Sequence, residues 1–411
     1  MSQSSSGSDA PRGWAYRIRF GKPGTPADVD RTMLWALVVL LTGFGLVMVL
    51  SSSSVESFAA GSGVSSKFLR QAVFAVLGFS IMYVASRLPR QFWTGKIAGA
   101  LLVVTLVLQA LVFTPLGITE GGNRAWLDLG FTSLQPAEVG KIAMCVWFGA
   151  VLRMKGKPIE RWQHLIVPIL LPSLLIIGLA MAGKDLGTVM VMAVVLLGTM
   201  WFSGMPLRWI ASGVALAVIG AVMAAALSPN RVARITAFFS GECDYEYLCW
   251  QTTHGFYALA HGGLFGVGLG NSTAKWSWLP EADNDYIFAI IGEEFGLLGA
   301  LLVIVMFTAL AIVMLRMWRN AADAPDRAII GGVFSWIIFQ AFVNIAVVIG
   351  LLPVLGVPLP FVSSGGSALV TTLLAMGIVL SVSRGTGPSV PSSAGNQPAG
   401  AVQARKESVS R

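Results

Sequence analysis

The chain has 411 residues, of which 55% are hydrophobic and 12% charged, with a mean hydropathy of +0.73. No soluble core absorbs that much apolar surface, so a water-soluble globular fold is excluded. The net charge of +8 does not point to nucleic acid, because the basic residues sit mainly in the tails and in short loops between apolar runs.

Residues 1–30 form a basic N-tail, and residues 1–11 of it are rich in Ser and Gly with little to bury. Ten apolar runs follow, near 33–50, 69–86, 97–114, 137–152, 166–182, 187–203, 209–227, 287–315, 329–350 and 366–383. Each approaches the roughly 20 residues that a spanning helix needs. The eighth run is too long for one simple span, so its first turns are expected to lie at the interface or dip into a cavity. The fifth and sixth runs meet at Gly183-Lys-Asp-Leu-Gly187, as two half-buried helices or as a tight hairpin. Residues 385–411, rich in Ser, Gly, Pro and Ala, read as a disordered C-tail. No cleavable signal peptide is visible, because about 30 polar residues precede the first run. The expected architecture is an all-α polytopic integral membrane protein, with residues 31–384 as one membrane domain.

Charge sets the expected orientation. Of 28 basic residues, 20 fall in the two tails and in alternate loops, among them Arg87, Arg90, Arg153, Lys157, Arg208, Arg316 and Arg319. Lys and Arg are retained on the cytoplasmic side. Both termini are therefore expected in the cytoplasm, and segment 228–286 outside. Cys145 lies in an apolar run and reads as packing. Cys243 and Cys249 lie in the outer segment, where an oxidising environment favours a small disulfide loop.

The outer segment is too long for a plain connection. Its run His261-Gly-Gly-Leu-Phe-Gly-Val-Gly-Leu-Gly270 permits positive φ and close backbone approach. It reads first as tight turns, with an anion-binding nest as the alternative. Glu138 and Lys141 are three apart at the start of the fourth run and share a helix face. Charges in a membrane need a partner or a polar cavity. The pair is thus either a structural salt bridge or the polar rim of a substrate site. Asp185 can cap the sixth run. Asp285 can cap the eighth, yet Glu281 and Asp283 crowd beside it and Glu293 and Glu294 follow inside the apolar run. Crowding and low dielectric raise a carboxylate pKa, which suits a general base near neutral pH. Spacing alone leaves enzyme, transporter and scaffold open.

Five motifs, in order, narrow the choice. They are Gln135-Pro-Ala-Glu-Val-Gly-Lys141; Asp185-Leu-Gly-Thr188; Leu279-Pro-Glu-Ala-Asp-Asn-Asp-Tyr-Ile-Phe-Ala289 with Ile291-Gly-Glu-Glu-Phe-Gly296; Asn344-Ile345; and Gly350-Leu-Leu-Pro353 with Pro358-Leu-Pro-Phe-Val-Ser-Ser-Gly-Gly366. Together they resemble the SEDS family (shape, elongation, division and sporulation) of bacterial membrane proteins, over about residues 30–384. The Lys275-to-Ala289 block and the cysteine-bearing insert resemble the division branch, in a form like that of high-GC Gram-positive bacteria. The chain departs from the pattern at Asp283 (usually His), Gly183-Lys184 (Gln-Pro), Ala137 (Ser) and Ser364 (Tyr).

The resemblance implies polymerisation of lipid II into β-1,4-linked glycan, with release of undecaprenyl pyrophosphate. It implies Asp285, Glu138 and Lys141 as catalytic residues. It implies Arg231, Arg234, Lys275, Asp185, Glu281, Asn344 and Ser363 as substrate contacts. The implied partners are a class B penicillin-binding protein (the septal transpeptidase FtsI) and other divisome proteins at the septum. No dense ligand cluster marks a dedicated metal site, although a divalent cation, Mg or Mn, would suit pyrophosphate. The alternatives are the elongation branch, a lipid II flippase and a non-catalytic divisome scaffold. The unusual charges gather toward the outer side, which favours surface chemistry over translocation.

Overall fold

The structure is a computed structural model that describes residues 26–59, 65–120, 122–130, 132–155, 166–226, 229–240, 249–276 and 279–386. Residues 1–25 and 387–411 of the expected tails, and Cys243, lie outside these residues, and residues 26–30 already belong to the first helix. Each expected span falls on a helix. In chain order the helices begin with α1 Pro26–Ala59, α2 Ser66–Arg87, the single turn α3 Arg90–Trp93 and α4 Lys96–Leu111. After α5 Pro136–Lys155, a π turn at Ile166–Leu170 leads into α6 Leu171–Ala182, followed by α7 Leu186–Phe202 and α8 Leu207–Ala226. The set ends with α9 Pro229–Ser240, α10 Trp250–Gly262, α11 Ile287–Asn320, α12 Ala324–Val348 and α13 Gly366–Val382. Helices α1, α2, α11 and α12 are long and apolar enough to cross a membrane, and α4, α6, α7, α8 and α13 are shorter apolar helices.

Helices α5, α12 and α13 are buried on nearly every side and form the centre of the bundle. The outer faces of α1, α2, α4 and α8 carry exposed Leu40, Val76, Val103 and Ile219. Surface of this kind suits lipid and would aggregate in water. Between helices in lipid there is no hydrophobic driving force, so close packing must hold them. The most extensive helix pairing joins α2 to α13. A Cβ at Gly78 would lie 2.5 Å from Leu373, and one at Gly377 2.7 Å from the Met82 carbonyl.

The expected first span stops at residue 50, whereas α1 runs on to Ala59. Its added turns are polar, but Ser51, Ser52 and Ser53 are buried against protein, which apolar patterning does not reveal. Apolar patterning is equally blind to a three-stranded antiparallel sheet between α4 and α5. The strands are β1 Gly117–Glu120, β2 Asn123–Asp128 and β3 Ser133–Leu134, in order β1-β2-β3.

The long eighth run is one element broken at Gly296, whose φ of 67° and ψ of −162° interrupt α11. Such a break frees backbone groups that lipid cannot satisfy. The glycine-rich segment satisfies them. The amides of Val267 and Gly268 donate to the carbonyls of Glu293 and Glu294, both at 3.0 Å, and Leu297 donates to Gly263 at 2.9 Å. Gly266 allows this approach, since a Cβ there would lie 2.2 Å from the Glu294 carbonyl oxygen. The run therefore folds as turns, with these amides bonded to protein rather than open to an anion.

Ion pairs tie the basic end of the bundle. Arg90 bridges Asp323 and Asp326 at 2.9 and 3.1 Å, Arg316 meets Asp30 at 2.9 Å, and Arg31 donates to the Ser383 carbonyl at 2.8 Å. The opposite end holds the sheet, the α6–α7 turn and the two loops that build the site.

Candidate functional site

Asp285 stands at the last turn before α11, and three loop contacts fix it. Asn344 donates from Nδ2 to the Asp285 carbonyl at 2.7 Å and to the Val357 carbonyl at 2.8 Å. Ser363 Oγ donates to the Asn284 carbonyl at 2.7 Å, and the Ser364 amide donates to the Asp283 carbonyl at 2.8 Å. Lys67 holds the Asp283 carboxylate at 3.0 Å. Gln71, buried in α2, donates to the Ser363 carbonyl and accepts from Gly365, both at 3.2 Å. The backbone of residues 283–285 is thus held while the Asp285 side chain is left over.

That carboxylate has no hydrogen-bond or ion-pair partner among the described residues. It does not cap α11, whose N-cap position is Tyr286. Gly356, at φ 67°, leaves space beside it; a Cβ there would lie 3.5 Å from Asp285 Oδ2. Burial, and then the negative charges of Glu281, Asp185 and Asp283, push its pKa up from 3.8 to about 7.

Glu138 and Lys141 form a buried pair at 2.8 Å, with side chains only 4% and 2% exposed. Lys141 Nζ also donates to Gln340 Oε1 at 3.1 Å and lies 4.4 Å from the centre of the Trp336 ring. Trp336 Nε1 donates to Gln340 Oε1 at 2.8 Å, and Gln340 Nε2 donates to the Pro358 carbonyl at 2.9 Å. Trp336, Gln340 and Asn344 recur every four residues, so one face of α12 runs from the charged pair to Asp285. Sequence reasoning missed Trp336, Gln340 and Gln71. The available signal was a polar and aromatic stripe inside an apolar run.

Asp185 does cap α7, accepting from the Thr188 amide at 3.1 Å. Its other oxygen accepts from Gln135 at 2.8 Å, just before α5. It lies within electrostatic range of both Lys141 and Asp285. The structure therefore brings together Asp285, Asp185, Glu138, Lys141, Asn344 and Ser363. Glu281 is exposed and accepts from Asn284 at 3.2 Å. Lys275 is buried, within 3.4 Å of Glu294 and 2.5 Å of the Gly270 carbonyl, so its charge is committed to the fold. Arg231 and Arg234 fall on α9, but their side chains lie outside the described residues.

Glu293 organises the loop before the site. It accepts from the Ser272 hydroxyl, the Thr273 amide and hydroxyl at 2.9 and 2.8 Å, and the Ala274 amide at 3.2 Å, with His261 Nδ1 at 2.9 Å. Glu293→Leu would leave the buried Ser272 hydroxyl and Ala274 amide without an acceptor, at about 1–3 kcal/mol for each. Lowered thermal stability and faster proteolysis within residues 261–276 are the expected results. Unchanged cleavage there would refute the role. Among the described residues, no group of three or more His, Cys, Asp or Glu converges to hold a metal.

The chain is 35% identical over 370 residues to the probable peptidoglycan glycosyltransferase FtsW of Mycobacterium tuberculosis, covering 90% of this chain and 70% of that one. It is 35% identical over 357 residues to stage V sporulation protein E of Bacillus subtilis, covering 86% and 96%. In structure it resembles a chain of a peptidoglycan synthase complex that coordinates polymerization and crosslinking, with TM-score 0.69 and 25% identity over 86% of this chain and 98% of that one. It also resembles the rod shape determining protein RodA of Thermus thermophilus, with TM-score 0.62 and 25% identity over 85% and 95%. A family model described as cell cycle protein and named for FtsW, RodA and SpoVE matches residues 31–387. That match covers every helix contributing to the site, and the chain belongs to this family, the SEDS family to which its five motifs pointed.

Proposed function

We propose that this protein is an FtsW-type peptidoglycan glycosyltransferase that polymerises lipid II at the division septum. The observation that carries the reading is the unpartnered carboxylate of Asp285, poised near neutrality in a rigid turn. In the proposed step Asp285 takes the proton from the acceptor's GlcNAc 4-hydroxyl. That oxygen attacks C1 of the donor's MurNAc, the bond from C1 to the pyrophosphate oxygen breaks, and undecaprenyl pyrophosphate departs with its electron pair. Configuration at C1 inverts to give the β-1,4 linkage. Lys141, held by Glu138 and Gln340, supplies positive charge to the same region. Arg231 and Arg234 on α9 are proposed to meet the pyrophosphate. A divalent cation, Mg or Mn, would add charge neutralisation at the departing pyrophosphate.

Arg31, Arg90 and Arg316 at the basic end pair with Asp28, Asp323, Asp326 and Asp30, while the Asp285 carboxylate at the opposite end has no partner among the described residues. This favours chemistry at one surface over passage of a headgroup through the bundle. The basic end is proposed to face the cytoplasm, with both termini there. A class B penicillin-binding protein of the septal, FtsI type is the proposed partner, supported by the resemblance to a synthase complex chain.

The test is reconstitution with lipid II on the leaflet facing the Asp285 end. Glycan strands should form there, stimulated by the septal transpeptidase. Lipid II scrambling without polymer, with that partner present, would reject the proposal. Stimulation by the elongation transpeptidase alone would move the protein to the elongation branch.

A further inference from the structure

A small cavity lies between α4, the β1–β2 hairpin, α5 and α6. Gln109, near the end of α4, lines it and is only 4% exposed, yet both its amide oxygen and its amide nitrogen lack partners. A buried amide left unpaired on both sides is destabilising, and such groups persist where a ligand or water completes them. Arg124 of β2 also lines the cavity, and its Nε is buried and unpartnered.

Arg124 is a built feature. Its Nη2 donates to the Thr114 carbonyl and its backbone amide to the Gly183 carbonyl, both at 2.8 Å. Gly183 makes room for it, since a Cβ there would lie 2.4 Å from the Arg124 carbonyl oxygen. The remaining wall is mainly apolar, with Val112, Phe113 and Leu179, and Asp185 closes one side.

The chemistry selects the ligand class. Asp185 beside the cavity disfavours an anion, and Arg124 disfavours a cation. The free groups are an amide that donates and accepts, plus one N–H donor, against an apolar wall. This matches a secondary amide carrying a methyl group. Resting on the polymerase reading, we propose that the cavity binds an acetamido group of the lipid-linked disaccharide, with Gln109 pairing to its N–H and carbonyl and Arg124 Nε donating to the carbonyl. Asp185 starts the turn into α7, where a Cβ at Gly187 would lie 2.4 Å from the Leu355 carbonyl oxygen, in the loop whose Gly356 stands beside Asp285; this places the subsite next to the reacting centre. Gln109 is then a specificity-determining residue.

The test uses the full-length protein with its transpeptidase partner and three substrates: lipid II, and two analogues bearing a free amine in place of the acetamido group on GlcNAc or on MurNAc. For the wild type, kcat/KM should fall about tenfold or more on one analogue, which identifies the sugar that is read. Gln109→Leu should lower lipid II to the level of that analogue and leave the analogue unchanged, so that discrimination disappears. Ala125→Leu, which fills the rim from β2, should do the same and carries the test should Gln109→Leu fail to fold. Equal wild-type rates on all three substrates would overturn the inference. So would an equal loss on all three in Gln109→Leu, the result expected if the cavity holds only ordered water. No polymer from lipid II with the wild type would overturn the polymerase reading and this inference with it.

Discussion

Asp285→Asn should lower lipid II polymerisation by about 10²–10⁴-fold, the usual contribution of a positioned general base. The substitution keeps the shape of the side chain, and the contacts from Asn344, Ser363 and Ser364 reach only the backbone of residues 283–285. Wild-type activity should rise with pH through about 7, as the carboxylate loses its proton. Stability should run the other way. The folded state keeps this proton where the unfolded chain, with its ordinary value of 3.8, has lost it. The stabilising contribution is therefore complete below about pH 4 and is lost as pH rises through about 7. Above that range Asp285→Asn should melt no lower than the wild type in thermal unfolding. An inactive variant of normal stability supports the base, whereas wild-type polymer yield from verified Asp285→Asn protein would remove Asp285 from the mechanism.

Glu138→Gln and Lys141→Met should each be severe. Either change leaves its partner's charge buried and alone, which typically destabilises by about 3–5 kcal/mol. Lys141→Met also removes a cation from the Trp336 face, a contact worth about 0.5–2 kcal/mol. The double variant removes both charges together, so it should regain much of the lost stability without regaining polymerisation. Thermal unfolding in detergent and lipid II turnover, measured on all three variants, separate the two effects. Full turnover in both single variants would mean that the pair serves the bundle alone.

Much of this was legible because apolar runs of spanning length leave few other folds open. The four carboxylates Glu138, Asp185, Asp285 and Glu293 were visible as charges in or beside such runs. Their division of labour was not. Asp185 and Asp285 look alike in sequence, each just before an apolar helix, yet Asp185 caps and Asp285 does not. The difference lies in which backbone amides each carboxylate faces, and spacing does not encode that. Lys275 was expected to contact substrate; its partners Glu294 and Ser51 come from α11 and α1. The hairpin escaped notice because its strands are short and its register shifts between Ile118 and Thr119, so no clean alternation survives. Gln109 escaped because one amide in an apolar helix carries meaning only once its lack of partners is known.

The pairing of α2 with α13 joins the second helix of the bundle to its last. In the same way, Lys67 and Gln71 of α2 reach residues 283 and 363 across most of the chain. Chain order therefore dictates a late closure during synthesis. The early helices enter the membrane while the partner of α2 is still unmade, and the apolar face of α2 lets it wait in lipid. The turn bearing Asp285 gains its clamp only after the final loop and helix arrive. A nascent chain halted before Gly366 would hold Glu138, Asp185, Asp285 and Glu293 but lack the helix against which α2, the bearer of Lys67 and Gln71, packs, so the support of the site is completed by the last helix.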